Sequence, residues 1–219
     1  MGEIHKYKMK LLLFDIWGTL IETGVKPSPS KQVRYFLRSR EEFSQFVQKF
    51  EDTFMTKEHE SLTAGFQEVV EDMSLRIPDF VYDKLVGMWN KSSILSKEYE
   101  DTFDALKKLK KKKYKLVLVA NIDRFSWEQL KQKFELDKYF DGVYLSYETG
   151  KLKNDFDCVS GILEDFKVKP EEAMLIGDSI ESDMKAAENA KIKGLLIDRN
   201  DRREYEPKIK SLEEIWDHL

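Results

Sequence analysis

The sequence predicts a doubly wound α/β fold, a parallel sheet of five strands with a bundle of helices inserted after the first. Three observations point there. Five short apolar runs recur, each four or five residues long and continuous rather than alternating, as in strands covered on both faces. Helical patterns separate the later runs, the signature of alternating strand and helix. The stretch from residue 24 to residue 96 holds no such run at all.

The elements follow in order. The first run, Leu11–Phe14, leads directly into Asp15. The stretch after it carries three apolar faces at helical spacing: Phe43, Phe46, Val47, Phe50 and Phe54; Leu62, Phe66, Val69, Val70 and Met73; Phe80, Leu85, Met88 and Trp89. Pro27, Pro29 and Pro78 punctuate it. A helix over 100–112 returns the chain to the sheet, its Leu106 and Leu109 set among lysines that read as a solvated face. The second run, 116–120, is followed by a helical pattern through Trp127, Leu130, Phe134 and Leu136. The third, Gly142–Leu145, precedes another through Phe156, Val159, Ile162, Leu163 and Phe166. Residues 169–172, Lys-Pro-Glu-Glu, read as a loop before the fourth run at 173–176; the fifth lies at 194–197. Residues 209–219 read as a closing helix with Ser211 as its cap. The division expected is a Rossmann-like core of residues 1–23 and 97–219 and a helical cap of residues 24–96.

Composition narrows the function. A chain of 219 residues has room for one sizeable core and a small second unit. A net charge of −4 gives no electrostatic case for nucleic acid or an anionic membrane as partner. The apolar runs are too short to span a bilayer, and MGEIHKYKMK has no apolar segment of signal-peptide length, so a cytoplasmic protein is expected. The single cysteine, Cys158, excludes an internal disulfide and fits a reducing compartment. His5, His59 and His218 show no metal-ligand spacing.

In an open parallel sheet, function collects beyond the carboxyl ends of the strands. There the sequence puts Asp15 after the first run and Ala120 and Asn121 after the second. Lys151 and Lys153 follow the third, and Asp178 and Asp183 the fourth. Three carboxylates and a lysine at one sheet edge repel or neutralise each other unless they bind something. A hard cation such as Mg²⁺ together with an anionic small molecule satisfies that charge set.

Four stretches in this order, FDIWGTL, LVLVANID, SYETGKLKND and GDSIESDMKAAENAKIKGLLI, resemble the four signature motifs of the haloacid dehalogenase (HAD) superfamily. The resemblance implies a hydrolase in which Asp15 is the nucleophile and forms an ester intermediate. It implies that Lys153 neutralises the nucleophile and holds the substrate anion. Mg²⁺ would be faced by Asp15, Asp178 and the backbone carbonyl of Trp17, with Asp183 in support. Backbone amides in the Trp17-Gly18 turn and at Ala120-Asn121 would cradle a phosphate.

Three positions depart from the family pattern. Asn154 replaces the proline that usually follows the lysine of the third motif. Ala120 lacks the usual hydroxyl, a hydrogen bond to a charged group worth roughly 1.5–3 kcal/mol. Trp17 stands where phosphatases of the superfamily carry an aspartate that protonates the leaving group and later activates water. Indole N–H is a donor only, and loss of a general acid–base typically costs about 10²–10⁴ in rate. A Mg²⁺-dependent phosphatase acting on phosphate esters or acyl phosphates with good leaving groups is the leading expectation. The aromatic residue at position 17 also resembles dehalogenases, whose halide needs no proton, with Arg34, Arg38 and Arg40 as conceivable carboxylate partners. Asp178 and Asp183 argue against that reading, because they set negative charge beside a haloacid carboxylate. The third alternative is a catalytically silent relative that binds a phosphorylated ligand or a protein partner through its cap.

Overall fold

A computed structural model describes residues 9–219; His5 and the rest of the N-terminal stretch lie outside the described residues. The first strand, β1 (Leu11–Phe14), is fully buried. Its side chains alternate between two cores: Leu12 and Phe14 join one apolar cluster, Leu11 and Leu13 the other. A strand clothed on both faces has no polar face to show, and its sequence is apolar throughout for that reason.

The chain then makes a two-residue strand, β2 (Ile21–Glu22), and four helices: α1 (Pro29–Leu37), α2 (Phe43–Met55), α3 (Leu62–Asp72) and α4 (Asp79–Ile94). It returns through β3 (Lys97–Glu98), which pairs antiparallel with β2. The four helices share a core of their own, built around Phe46, Phe50, Phe54, Phe66 and Trp89. Those rings stack or meet edge-on, with centroids 4.7–6.4 Å apart. Periodicity in the sequence marks α2, α3 and α4. It does not mark α1, which buries only Val33 and Leu37. Phe80, placed on an apolar face by spacing, is 59 % exposed.

The remaining elements alternate: α5 (Thr102–Lys111), β4 (Lys115–Ala120), α6 (Arg124–Phe134), β5 (Gly142–Leu145), α7 (Ser146–Thr149), α8 (Cys158–Phe166), β6 (Ala173–Gly177), α9 (Lys185–Asn189), β7 (Lys193–Ile197) and β8 (Lys208–Ile209). The helix expected over 100–112 starts at Thr102, whose hydroxyl donates to the Leu20 carbonyl at 2.8 Å. Residues 170–172 form a single 3₁₀ turn rather than a plain loop. The closing segment Leu212–His218 is 3₁₀, with the Ser211 hydroxyl accepting from the Glu213 amide.

The sheet has six strands rather than five, in the order β5-β4-β1-β6-β7-β8, every pair parallel. The strand beyond expectation, β8, is two residues long and pairs Leu196 with Lys208 and Ile197 with Ile209. Such a short segment leaves no period to read. β1 lies at the centre. The chain goes to one side of it for β4 and β5 and to the other for β6, β7 and β8, which opens a crevice beyond the carboxyl end of β1.

Candidate active site

Asp15 stands at that crevice, one residue past β1. Its neighbours across the sheet are set by register: Phe14 is level with Leu118 on β4 and with Ile176 on β6. Asn121 and Asp178, the first residues past those two strands, therefore flank it. Asp15, Lys153 and Asp183 are 5, 4 and 0 % exposed. The Lys153 ammonium donates to Asp15 Oδ1 and, at 2.5 Å, to Asp183 Oδ1. Lys153 is thus a buried cation between two carboxylates. Oxygens of Asp15, Asp178 and Asp183 all lie within 4.8 Å of one another.

Local backbone geometry makes this convergence feasible. Gly18 has φ +77°, and a Cβ there would fall 2.3 Å from Asp178 Oδ2. A Cβ on Gly177 would lie 2.2 Å from Asp183 Cγ. The two glycines remove atoms where carboxylates must approach. Asp183 sits in a π-helical turn, Ile180–Met184, and its Oδ2 accepts from the Ser179 amide at 3.0 Å.

Burial dominates the electrostatics. It pushes the Asp15 carboxyl up to about 8; Lys153 pulls the other way, and Asp183 and Asp178 add to the rise. Burial and then Asp183 push Asp178 up to about 6. For Lys153, burial favours the neutral amine, but Asp15 and Asp183 outweigh it and hold the pKa above the ordinary lysine range. The Lys153 ammonium and the Arg203 guanidinium, 3.7 Å from Asp178 Oδ2, are two cations against three carboxylates. A compact set of hard oxygen donors with unrelieved mutual repulsion fits a hard divalent cation.

Beside this group opens a cavity of about 670 Å³, lined by Trp17, Gly18, Asn121 and Asp178 from the sheet edge and by Glu51, Met55 and Trp89 from the helical segment. Asn121 spans the two parts. Its Oδ1 accepts from the Lys153 amide at 2.8 Å, and its Nδ2 donates to Glu51 Oε2 at 2.9 Å. Glu51 carries no motif, and nothing in the sequence separates it from the exposed Asp52 beside it on α2. Burial raises its pKa first, with the Asn121 hydrogen bond and Lys153 opposing and Asp183 adding to the rise.

Other expected site residues fall elsewhere. The Ala120 methyl packs in the core under the sheet end and is not among the cavity-lining residues. The Gly18 amide donates to the Ile21 carbonyl at 2.8 Å, so Gly18 contributes shape rather than a donor. Among the described residues the Ile16 and Trp17 amides have no backbone acceptor. Lys151 is an exposed lysine paired with Asp157. Arg34 donates to the Glu41 carbonyl, and neither it, Arg38 nor Arg40 lines the cavity. Asp123, which does line the cavity, is buried as the cap of α6 and accepts from the Trp89 indole at 2.8 Å.

Comparison with known proteins gives the same picture of the chain. A family model described as haloacid dehalogenase-like hydrolase matches residues 9–191. The pyrophosphatase PpaX of Bacillus cereus is 27 % identical over 175 residues, covering 78 % of this chain and 76 % of the relative. A HAD phosphatase from Thermococcus onnurineus superposes with a TM-score of 0.63 at 24 % identity, over 96 % of this chain and 98 % of that one. A HAD family enzyme from Bacteroides thetaiotaomicron, in complex with magnesium and inorganic phosphate, superposes with a TM-score of 0.59 at 21 % identity, over 90 % and 98 %. No helix among the described residues is long and apolar enough to cross a membrane.

Proposed function

The chain belongs to the haloacid dehalogenase-like hydrolases, and from that premise we propose that it is a Mg²⁺-dependent phosphohydrolase working through an aspartyl-phosphate on Asp15. The observation that carries this reading is the convergence of Asp15, Lys153, Asp178 and Asp183 on one point at the switch of strand order. Asp15, Asp178 and the Trp17 carbonyl would hold the ion with Asp183 in support, and the ion would supply positive charge at the phosphoryl oxygens. The Asp15 carboxylate attacks phosphorus. Lys153 opposes the burial that raises the proton affinity of that carboxylate and pairs with the substrate anion, and the bound ion would complete the ionisation. The Ile16 and Trp17 amides, which have no backbone acceptor among the described residues, would donate to the phosphoryl group. The helical segment from α1 to α4 acts as a cap that closes the cavity against water through Glu51, Met55 and Trp89.

Trp17 sets the substrate class. With no proton donor at position 17, the first step favours leaving groups that depart as stable anions: phosphoanhydrides and acyl or aryl phosphates before sugar phosphates. Inorganic pyrophosphate meets that requirement, and the relatives named as pyrophosphatases support it. In the dehalogenase reading, favoured by Trp17, the arginine that lines the cavity, Arg199, is already held by Asp101 and the Thr19 carbonyl, and Asp178 is left without a purpose.

The test measures phosphate release with Mg²⁺ across pyrophosphate, acetyl phosphate, p-nitrophenyl phosphate and an alkyl phosphate. Rates should fall steeply as leaving-group pKa rises, and Asp15→Asn or a chelator should abolish them. Chloride release from a 2-chloroacid, indifferent to chelator, would overturn the proposal in favour of a dehalogenase. Tight phosphate and Mg²⁺ binding with no turnover on the panel would overturn it in favour of a silent relative.

A further inference from the structure

An aspartyl-phosphate must be broken as well as made. A good leaving group dispenses with an acid in the first step, but the water that hydrolyses the intermediate still has a proton to lose. Both displacements at phosphorus are in line, so water enters where the leaving group departed, on the side away from Asp15. The aspartate of the family pattern would reach that side from position 17, just past β1; with Trp17 there, the cavity wall formed by the helical segment is left to supply a replacement. Trp17 cannot serve.

We propose that Glu51, on α2, is the general base for hydrolysis of the phosphorylated Asp15. This rests on the phosphohydrolase reading and names the residue that completes its cycle. Among the cavity-lining residues that come from α1 to α4, Glu51 is the one carboxylate. It lies within hydrogen-bond distance of the machinery: Asn121 holds Glu51 Oε2 with its amide nitrogen and the Lys153 backbone with its amide oxygen. Among the described residues Oε1 has no hydrogen-bond partner, so one oxygen is anchored and the other is available to water. The charges that act on the carboxylate are Lys153 and Asp183, and burial raises its proton affinity, which makes a stronger base.

The step balances. Water oxygen bonds to phosphorus as the bond between phosphorus and Asp15 Oδ breaks. The water proton passes to Glu51 Oε1, Asp15 returns to a carboxylate, and inorganic phosphate leaves. Glu51 then gives its proton to solvent.

Glu51→Gln tests this cleanly, because the amide oxygen of Gln still accepts from Asn121 and the link between cap and sheet survives. In rapid-quench kinetics with acetyl phosphate and Mg²⁺, the variant should release a full burst of acetate. It should then stall with phosphorylated protein detectable by intact mass, and steady turnover should fall by about 10²–10⁴. Glu51→Ala should stall in the same way and recover turnover with added formate, a small carboxylate that can enter the cavity. Turnover of Glu51→Gln equal to wild type would overturn the proposal. So would loss of burst and turnover in equal proportion, or formate indifference in Glu51→Ala. Asp15→Asn run in parallel separates the two readings. If it turns over like wild type, or if wild type itself does not turn over, the phosphohydrolase reading fails and the Glu51 role with it. If Asp15→Asn is dead and Glu51→Gln is normal, only the Glu51 role fails.

Discussion

At Gly18 the space for a side chain is already taken by Asp178. A Cβ there would sit 2.3 Å from Oδ2 and 2.5 Å from Cγ of that carboxylate, on backbone at φ +77° that an L-residue adopts only with strain. Gly18→Ala should therefore do two things at once. The left-handed backbone costs roughly 1–2 kcal/mol of stability, and displacement of Asp178 loosens the oxygen set. Mg²⁺ affinity should fall by about 10–100-fold, the range for disturbed support of a metal ligand. Urea denaturation without metal reads the first effect, and isothermal titration with Mg²⁺ reads the second. Unchanged affinity in a destabilised protein would show that Asp178 stands apart from the cation. Trp17, next in the chain, makes a different contribution. Half-buried, it packs against the main core cluster while lining the cavity, so its bulk shapes the space where an acid is absent.

At the scale of elements, α4 and α6 meet through one buried hydrogen-bond cluster. The Trp89 indole donates to Asp123 Oδ2 at 2.8 Å and to Ser126 Oγ at 3.1 Å, while Asp123 Oδ1 accepts from the Ser126 amide and caps α6. Burial raises the Asp123 pKa, and those donors oppose it. Trp89→Phe keeps an aromatic ring against Phe50 and Phe54 but removes a donor from a buried carboxylate. A loss of about 1.5–3 kcal/mol is expected in urea denaturation; a loss below about 0.5 kcal/mol would mean water replaces the indole. Pairings of this kind explain what could be read in advance. Strands β1, β4, β6 and β7 are legible because burial on both faces leaves apolar runs, and α2 to α4 because one face of each is apolar. Asp15, Lys153, Asp178 and Asp183 stand out because strand ends in a parallel sheet are few and ordered. β2, β3 and β8, at two residues each, are too short to hold a period, and α1 buries too little. Glu51 is invisible for a different reason. Its meaning depends on Asn121, seventy positions away and on the other part of the molecule.

For the whole molecule, the site makes stability depend on pH and metal together. Asp15 at about 8 and Asp178 at about 6 both lie above the ordinary value of 3.8. The native state thus holds protons that the unfolded chain has already lost. Between pH 4 and pH 8 the unfolded state binds fewer protons, so stability falls as pH rises through that window, with the full contribution present only below about pH 4. Carboxylates shifted downward, such as Asp101 and, at about 2, Asp201, act in the opposite sense, lending stability that is lost as pH falls below the ordinary carboxylate range. A bound divalent cation requires the carboxylates as anions, so its stabilisation grows as the protons leave. Metal-free protein should accordingly melt at a lower temperature at pH 8 than at pH 5.5. Added Mg²⁺ should raise the melting temperature more at pH 8 than at pH 5.5, and Asp15→Asn should flatten both trends. Scanning calorimetry at the two pH values, with and without Mg²⁺, gives all the comparisons. An equal Mg²⁺ increment at both would mean that the ion does not meet these carboxylates. The expected pattern couples fold to function: the cluster weakens the empty protein near neutral pH, and the same unrelieved charge draws in a cation and leaves Asp15 ionised for attack.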